Sequence, residues 1–141
     1  MGAGKKRKAA PPEEETAAVL DRVHLARYTM ENAELERIWR VGLEDVGALS
    51  VEERARFFHA AFQWLKAFET IHSHYVYGLM DRQLFEGWEG LLRHYVAAPG
   101  IAYYWKLRPE AFSERFRNFI NSLEPPADQR TVGTLFKEER S

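Results

Sequence analysis

The 141-residue sequence contains no cysteine, which excludes disulfide scaffolds, cysteine-ligated zinc sites, iron–sulfur clusters and thiol catalysis. It also has no excess of either charge, because 20 Lys and Arg residues stand against 21 Asp and Glu residues. A specific nucleic-acid partner is therefore not expected. No apolar run approaches the ~20 residues of a membrane span, and no phosphate-binding glycine loop or dinucleotide fingerprint occurs. A chain without cysteine fits a reducing compartment, so a cytoplasmic location is expected.

Hydrophobic residues make up 45% of the chain, which is enough for one ordinary core at this length. Between Pro11–Pro12 and Pro125–Pro126, apolar residues recur every three or four positions, and strand-like alternation is almost absent. The sequence therefore predicts an all-α fold, a compact antiparallel bundle of about five helices over 13–123 with flexible ends. Residues 1–12 are predicted to be a flexible basic tail, and residues 124–141 a C-terminal tail.

The run Lys5-Lys6-Arg7-Lys8 is the only block of like charge in the N-terminal tail. It is either a solvated tail or a patch for nuclear import or for an anionic surface. Membrane contact is expected only through this run, and its four charges would hold a nucleic-acid backbone weakly.

The first helix is predicted to run from Glu13 to Val41, with Gly42 as its C-terminal cap. Its apolar stripe is sparse, which predicts that one half of the helix protrudes beyond the bundle. A capping box at Ser50–Glu53 predicts the start of a second helix, which Gly78 closes. The apolar face of this second helix is broad, as expected of a central helix.

Asp81 is the predicted N-terminal cap of a third helix. Gly87 and Gly90 lie on its other face, where they favour close packing of a neighbouring helix or leave room for a ligand. A short fourth helix is predicted at 101–107 after the Pro99-Gly100 break, and a fifth is predicted after Ser113. The apolar stripe of the third helix is Leu84, Trp88, Leu91 and Tyr95.

A set of short motifs over residues 32–123 suggests a relationship to other proteins. They include Asn32-x-x-Leu35-x-x-Ile38-Trp39-x-x-Gly42-Leu43, Leu49-Ser50-x-Glu52-Glu53-x-Ala55-Arg56-Phe57, Gly78-Leu79-Met80-Asp81, Trp88-Glu89-Gly90, Ala98-Pro99-Gly100 and Tyr104-Trp105. In this order and spacing they resemble a widespread group of small bacterial proteins of unknown function. Many members carry an N-terminal transmembrane helix, which this sequence lacks, before a helical cytoplasmic domain. The resemblance implies a helical fold and brings no catalytic residues.

Glu69 and His72 are the strongest candidates for chemistry. They are three positions apart, so they share a helix face and could bind one metal ion, as in di-iron bundles. Such sites need a second Glu-x-x-His motif, which is missing. The alternative is a part-buried Glu69 paired with Arg93 or Arg108, and a His72 hydrogen bonded in the core. No cofactor is expected.

Aromatic residues are abundant, with four Trp, six Tyr and nine Phe. If they converge, some of them line a pocket for an apolar or planar ligand; otherwise they fill the core. Trp64 lies off the main stripe of the second helix and is expected to be an exposed ring at an interface. The residues of the predicted pocket are Trp88, Tyr95, Tyr104 and Trp105.

Three functions are compatible with these patterns. The first is a non-enzymatic helical module that binds a protein partner or a second copy of itself. The second is a small-molecule sensor with the aromatic pocket. The third is a metal-dependent enzyme centred on Glu69 and His72.

Overall fold

The computed structural model describes residues 31–127, and this part of the chain folds into five α-helices with short connections. No strand occurs within it, so the predicted all-α fold of about five helices is confirmed. The predictions for the basic tail, for the first helix before Glu31 and for residues 128–141 lie outside the described residues. The helices are α1 (Ala33–Glu44), α2 (Val51–Val76), α3 (Arg82–Ala97), α4 (Pro99–Leu107) and α5 (Glu114–Ser122), with 3₁₀ turns at Val46–Ala48 and Pro109–Ala111.

Side-chain caps define where most of the helices begin. At the start of α2, the Ser50 hydroxyl accepts from the backbone N–H of Glu53, whose carboxylate accepts from the backbone N–H of Ser50. The side chains of Asp81 and Ser113 each accept from one backbone N–H, of Leu84 at the start of α3 and of Phe116 at the start of α5. These three predicted caps are confirmed. Asn32, which the sequence analysis did not identify as a cap, accepts from two backbone N–H groups of α1.

Helices α1 and α4 cross with their backbones in contact at two glycines. A Cβ atom on Gly100 would lie 1.9 Å from the carbonyl oxygen of Gly42, and one on Gly42 would lie 2.4 Å from the ring of Phe57. Only glycine permits this approach. The predicted cap at Gly42 is therefore wrong, since this residue lies inside α1. Gly100 likewise belongs to the first turn of α4, after Pro99, and does not break the chain.

All five helices contribute to one hydrophobic core. The partly buried rings of Trp39 and Trp64 pack against its surface. The predicted closing role of Gly78 is confirmed, because this residue follows α2 with a φ of 76°. The largest fully buried side chains are Phe57, Phe116, Ile38, Leu43, Leu65, Leu92 and Ile101.

Candidate functional site

Helix α3 is turned so that one side of its apolar surface is uncovered. Its buried residues are Phe85 and Leu92, whereas Leu84 and Leu91 are 58% and 40% exposed. Each exposed leucine precedes a buried residue by one position, about 100° around the helix. The prediction that Leu84 and Leu91 lie at the centre of the core-facing stripe is therefore wrong.

The apolar band of α3 continues from the core to the solvent without interruption. Between the buried and the exposed sides lie the part-buried rings of Trp88 and Tyr95. The ring of Trp88 contacts Phe68 at 5.9 Å, and that of Tyr95 stacks on Trp64 at 4.9 Å. Helix α2 therefore covers one edge of the band and leaves the leucines at the other edge open.

The solvent side of α3 beside the two leucines carries no charged side chain. The charged residues of the helix lie about half a turn away from Leu84, where they form two ion pairs, Arg82–Glu86 at 3.5 Å and Arg93–Glu89 at 3.7 Å. We call the uncharged side the open α3 face. It consists of Gln83, Leu84, Gly87, Gly90, Leu91 and His94.

Gly87 and Gly90 make the surface beside the leucines flat. A Cβ atom added to either glycine would meet no other atom of residues 31–127 within 4 Å. Within residues 31–127, no neighbouring helix packs against these two glycines. Their surroundings are open space next to the Leu84–Leu91 ridge.

The aromatic residues of the described part form two groups of contacting rings, and α2 contributes to both. Trp64 belongs to the first group, where it stacks on Phe68 and Tyr95 and is part-buried. The prediction of an exposed ring at Trp64 is therefore wrong, and its role at an interface stays untested. The first group is Trp39, Phe57, Phe58, Trp64, Phe68, Trp88, Tyr95, Tyr103 and Tyr104. The second group is Phe62, His72, Tyr75, Phe85, Trp105, Phe112, Phe116 and Phe119.

The four rings of the predicted ligand pocket are divided between these groups. Trp105 contacts Phe112 and Phe116 in the second group, whereas the other three rings belong to the first. Tyr104 contacts Phe58, and no ring contact within residues 31–127 joins it directly to Trp88 or Tyr95. The structure thus does not bring the four predicted rings together. Burial raises the pKa of the Tyr95 phenol, although a hydrogen bond with the Trp39 side chain opposes the shift.

Glu69 connects α2 to the start of α5. Its Oε1 accepts from Lys66 Nζ at 2.9 Å, and its Oε2 accepts from the backbone N–H of Ser113 at 2.7 Å. Lys66 Nζ also donates to the carbonyl oxygen of Ala111 at 2.7 Å. Burial alone would raise the pKa of Glu69, but the hydrogen bonds from Ser113 and Lys66 outweigh it, and the pKa is lowered.

The predicted arginine partner of Glu69 is wrong, because the cation beside this carboxylate is Lys66. Arg93 pairs with Glu89, and Arg108 lies 3.8 Å from Glu110.

His72 is the one buried polar residue within 31–127, with 8% of its surface exposed. Its ring stacks on that of Phe119 with a centroid distance of 4.2 Å, and Phe116 and Phe85 lie at 5.9 and 6.0 Å. Burial in these apolar surroundings lowers the pKa of His72, and the nearby positive charge of Arg115 adds to this effect. The imidazole is therefore held neutral.

The surroundings of Glu69 and His72 offer a metal ion few ligand atoms. Both carboxylate oxygens of Glu69 already accept hydrogen bonds. No group of three His, Asp or Glu residues within the described part is arranged to hold an ion. We assign neither residue as a metal ligand.

Among the helices of residues 31–127, none combines the length and the apolar character that a membrane span needs. Comparison with protein-family models, curated proteins and solved structures finds no match to this chain. The resemblance to a group of small bacterial proteins stays a prediction.

Proposed function

We propose that the protein is a non-enzymatic helical module that associates with a second copy of itself through the open α3 face. The observation that supports this is the exposure of Leu84 and Leu91, 58% and 40%, on a helix side that carries no charge. A contiguous exposed apolar surface on a folded domain commonly marks a contact site.

Charge favours a second copy as the occupant of this face. In a two-fold symmetric dimer the same surface lies on both sides, so a charged residue near the axis would meet its own copy. The open α3 face has no charged residue of its own, and the charges that border it on the side away from Leu84 and Leu91 form ion pairs with each other. The formal charge of the whole chain is −1, so two copies also have little long-range repulsion to overcome.

The shape of the open α3 face also favours a second copy of the chain as its occupant. Leu84 and Leu91 form a ridge, and Gly87 and Gly90 form a flat surface beside it with open space above. Two antiparallel copies of α3 can therefore each place the leucine ridge over the glycines of the other, as ridges fit into grooves between packed helices.

The expected association is weak. A fully buried leucine contributes ~1.5–3 kcal/mol, so a half-exposed leucine gains about 1 kcal/mol when it is covered. Two leucines from each copy then contribute about 4 kcal/mol, and the loss of translational and rotational freedom on association offsets at least that much, so further contacts of the face must supply the net affinity. The dimer should therefore form only at high protein concentration.

Sedimentation velocity of the full chain from about 10 μM to about 1 mM tests this proposal. We expect the average mass to rise toward that of a dimer at the highest concentrations. The double variant Leu84→Lys/Leu91→Lys should remain monomeric, because the introduced cations face each other across the pair. Leu107→Lys is the matched control, because Leu107 is 42% exposed but lies on α4, and it should associate like the parent.

Far-UV circular dichroism of each variant establishes that it is folded. A parent chain that stays monomeric at every concentration would overturn the proposal. So would a dimer that the double variant leaves intact, or one that Leu107→Lys weakens equally.

A further inference from the structure

Helix α5 is held against α2 and α4 by side-chain contacts, and its Phe116 and Ile120 belong to the hydrophobic core. At its start, the backbone N–H of Ser113 donates to Glu69. In its middle, Phe116 and Phe119 pack around His72 of α2. Near its end, Asn121 accepts from the indole N–H of Trp105 at 3.2 Å. The second of these contacts depends on a group that can change its charge.

The surroundings of His72 accommodate the neutral imidazole and oppose the charged one. From α5 it meets two phenylalanine rings and the positive charge of Arg115, which repels an imidazolium. From α3 it meets the ring of Phe85. Tyr75 of α2, which is also titratable, stacks on the same Phe85 ring at 4.1 Å.

The one anion beside His72 is on its own helix. Among residues 31–127, Glu69 is the one group that favours the charged form of the imidazole. Its two oxygens are already engaged by Lys66 and by the backbone N–H of Ser113. A proton on His72 would therefore be buried among rings with no free carboxylate to receive it.

We propose that α5 is a proton-sensitive clasp: protonation moves the ring of His72 out from between Phe85, Phe116 and Phe119 and releases α5 from α2. The rest of the bundle stays folded, because the close crossing of α1 and α4 and the contacts of Trp88 and Tyr95 of α3 with α2 do not involve His72. The release is independent of the open α3 face.

The direction and the pH window follow from linkage. The ordinary pKa of histidine is 6.5, and the pKa of His72 is lower than this in the closed state. The closed state is therefore fully favoured above pH 6.5 and loses stability as the pH falls below it. Between the pKa of His72 in the closed state and 6.5, one proton binds on release, so the opening equilibrium constant rises by up to about tenfold per pH unit. Glu69, with an ordinary value of 4.5, contributes only at lower pH.

Amide hydrogen exchange of the full chain between about pH 7.5 and pH 5, corrected for intrinsic exchange rates, measures this release. We expect the protection of α5 amides to fall by up to about tenfold per pH unit below 6.5, while amides in the first half of α2 keep theirs. The variant His72→Phe keeps a ring but takes up no proton, so its α5 protection should not depend on pH. His59→Gln replaces an exposed histidine of the same helix and should behave as the parent.

The following outcomes distinguish a proton-sensitive clasp from a purely structural role of His72. The proposal is overturned if the protection of α5 amides in the parent does not depend on pH. It is also overturned if His72→Phe keeps the pH dependence of the parent. Loss of protection in α2 and α5 together also overturns it, since that is global unfolding. Should His72→Phe fail to fold, an NMR titration of the parent decides: loss of α5 signals that follows the titration of His72 supports the clasp, and a His72 midpoint at or above 6.5 overturns it.

Discussion

Replacing Gly100 by alanine tests whether α1 and α4 cross with their backbones in contact. The added Cβ would lie 1.9 Å from the carbonyl oxygen of Gly42 and 2.9 Å from the ring of Phe57. The nearest atom belongs to a helix backbone, so the clash cannot be relieved by rotating one side chain. Either α1 or α4 must move, and both are packed into the core.

The expected loss of stability can be worked from two opposing effects. Overpacking of an interior by one methyl group costs ~1–3 kcal/mol, and contact with a backbone atom places this case at the upper end. Alanine favours a helix over glycine by up to about 1 kcal/mol. The net loss is then about 2 kcal/mol, which lowers the melting temperature of a domain of this size by about 10 °C.

Gly87→Ala is the matched control, because the chemical change is identical and the surroundings are open. The new Cβ would meet nothing within 4 Å, so only the helix preference remains, and we expect a gain of up to about 1 kcal/mol. The two variants should therefore shift stability in opposite directions.

Thermal and urea unfolding at low micromolar protein concentration, where the chain is monomeric, measures both shifts. A Gly100→Ala variant as stable as the parent would refute the backbone crossing. A Gly87→Ala variant that loses as much stability as Gly100→Ala would refute the distinction between the two glycines.

Two further predictions concern the core and the link between α2 and α5. Phe57→Ala removes a fully buried ring that contacts Trp39 and should lower the free energy of unfolding by about 3–5 kcal/mol, measured as a lower urea midpoint. A loss below about 1 kcal/mol would contradict its central position. The pKa of Glu69 is lower in the folded chain than its ordinary 4.5, so it stabilises the fold above that pH, and this contribution is lost as the pH falls below it. Glu69→Gln should therefore flatten the acid limb of the stability curve between about pH 5 and pH 3, and an unchanged limb would contradict the role of its contacts with Lys66 and Ser113.

The helix starts could be predicted because caps are local. Ser50, Asp81 and Ser113 each accept from a backbone N–H three positions further along. Such a contact depends on neighbouring residues alone, so the pattern of residue types determines it.

The roles of the glycines could not be predicted in the same way. From the sequence alone, a glycine is equally compatible with a helix end, a turn or a close crossing of two helices. Gly78 has the positive φ of a helix end, whereas Gly100 is required by the backbone of α1 at Gly42, 58 positions away in the chain, and Gly42 by the ring of Phe57. Only the packing of α1 on α4 distinguishes these cases.

The partner of Glu69 was missed for a similar reason. The sequence indicates a part-buried carboxylate on α2 that requires a partner, and this much agrees with the structure. The backbone N–H that completes its contacts comes from Ser113, 44 positions away, and Lys66 is held in place by the carbonyl oxygen of Ala111. Helical periodicity carries no information about which loop returns to a given turn of α2.

The difference between sequence and structure in α3 has a physical meaning of its own. Leu84, Trp88, Leu91 and Tyr95 fall within about 60° of helix arc, which is the pattern of a stripe that is covered along its centre. The structure covers only one edge of that stripe, through Trp88 and Tyr95, and leaves Leu84 and Leu91 in solvent. A helix that needed to contact only α2 would require no leucine at these two positions. The sequence pattern and the fold agree when a second surface covers Leu84 and Leu91. In the proposed dimer, the second copy supplies that surface.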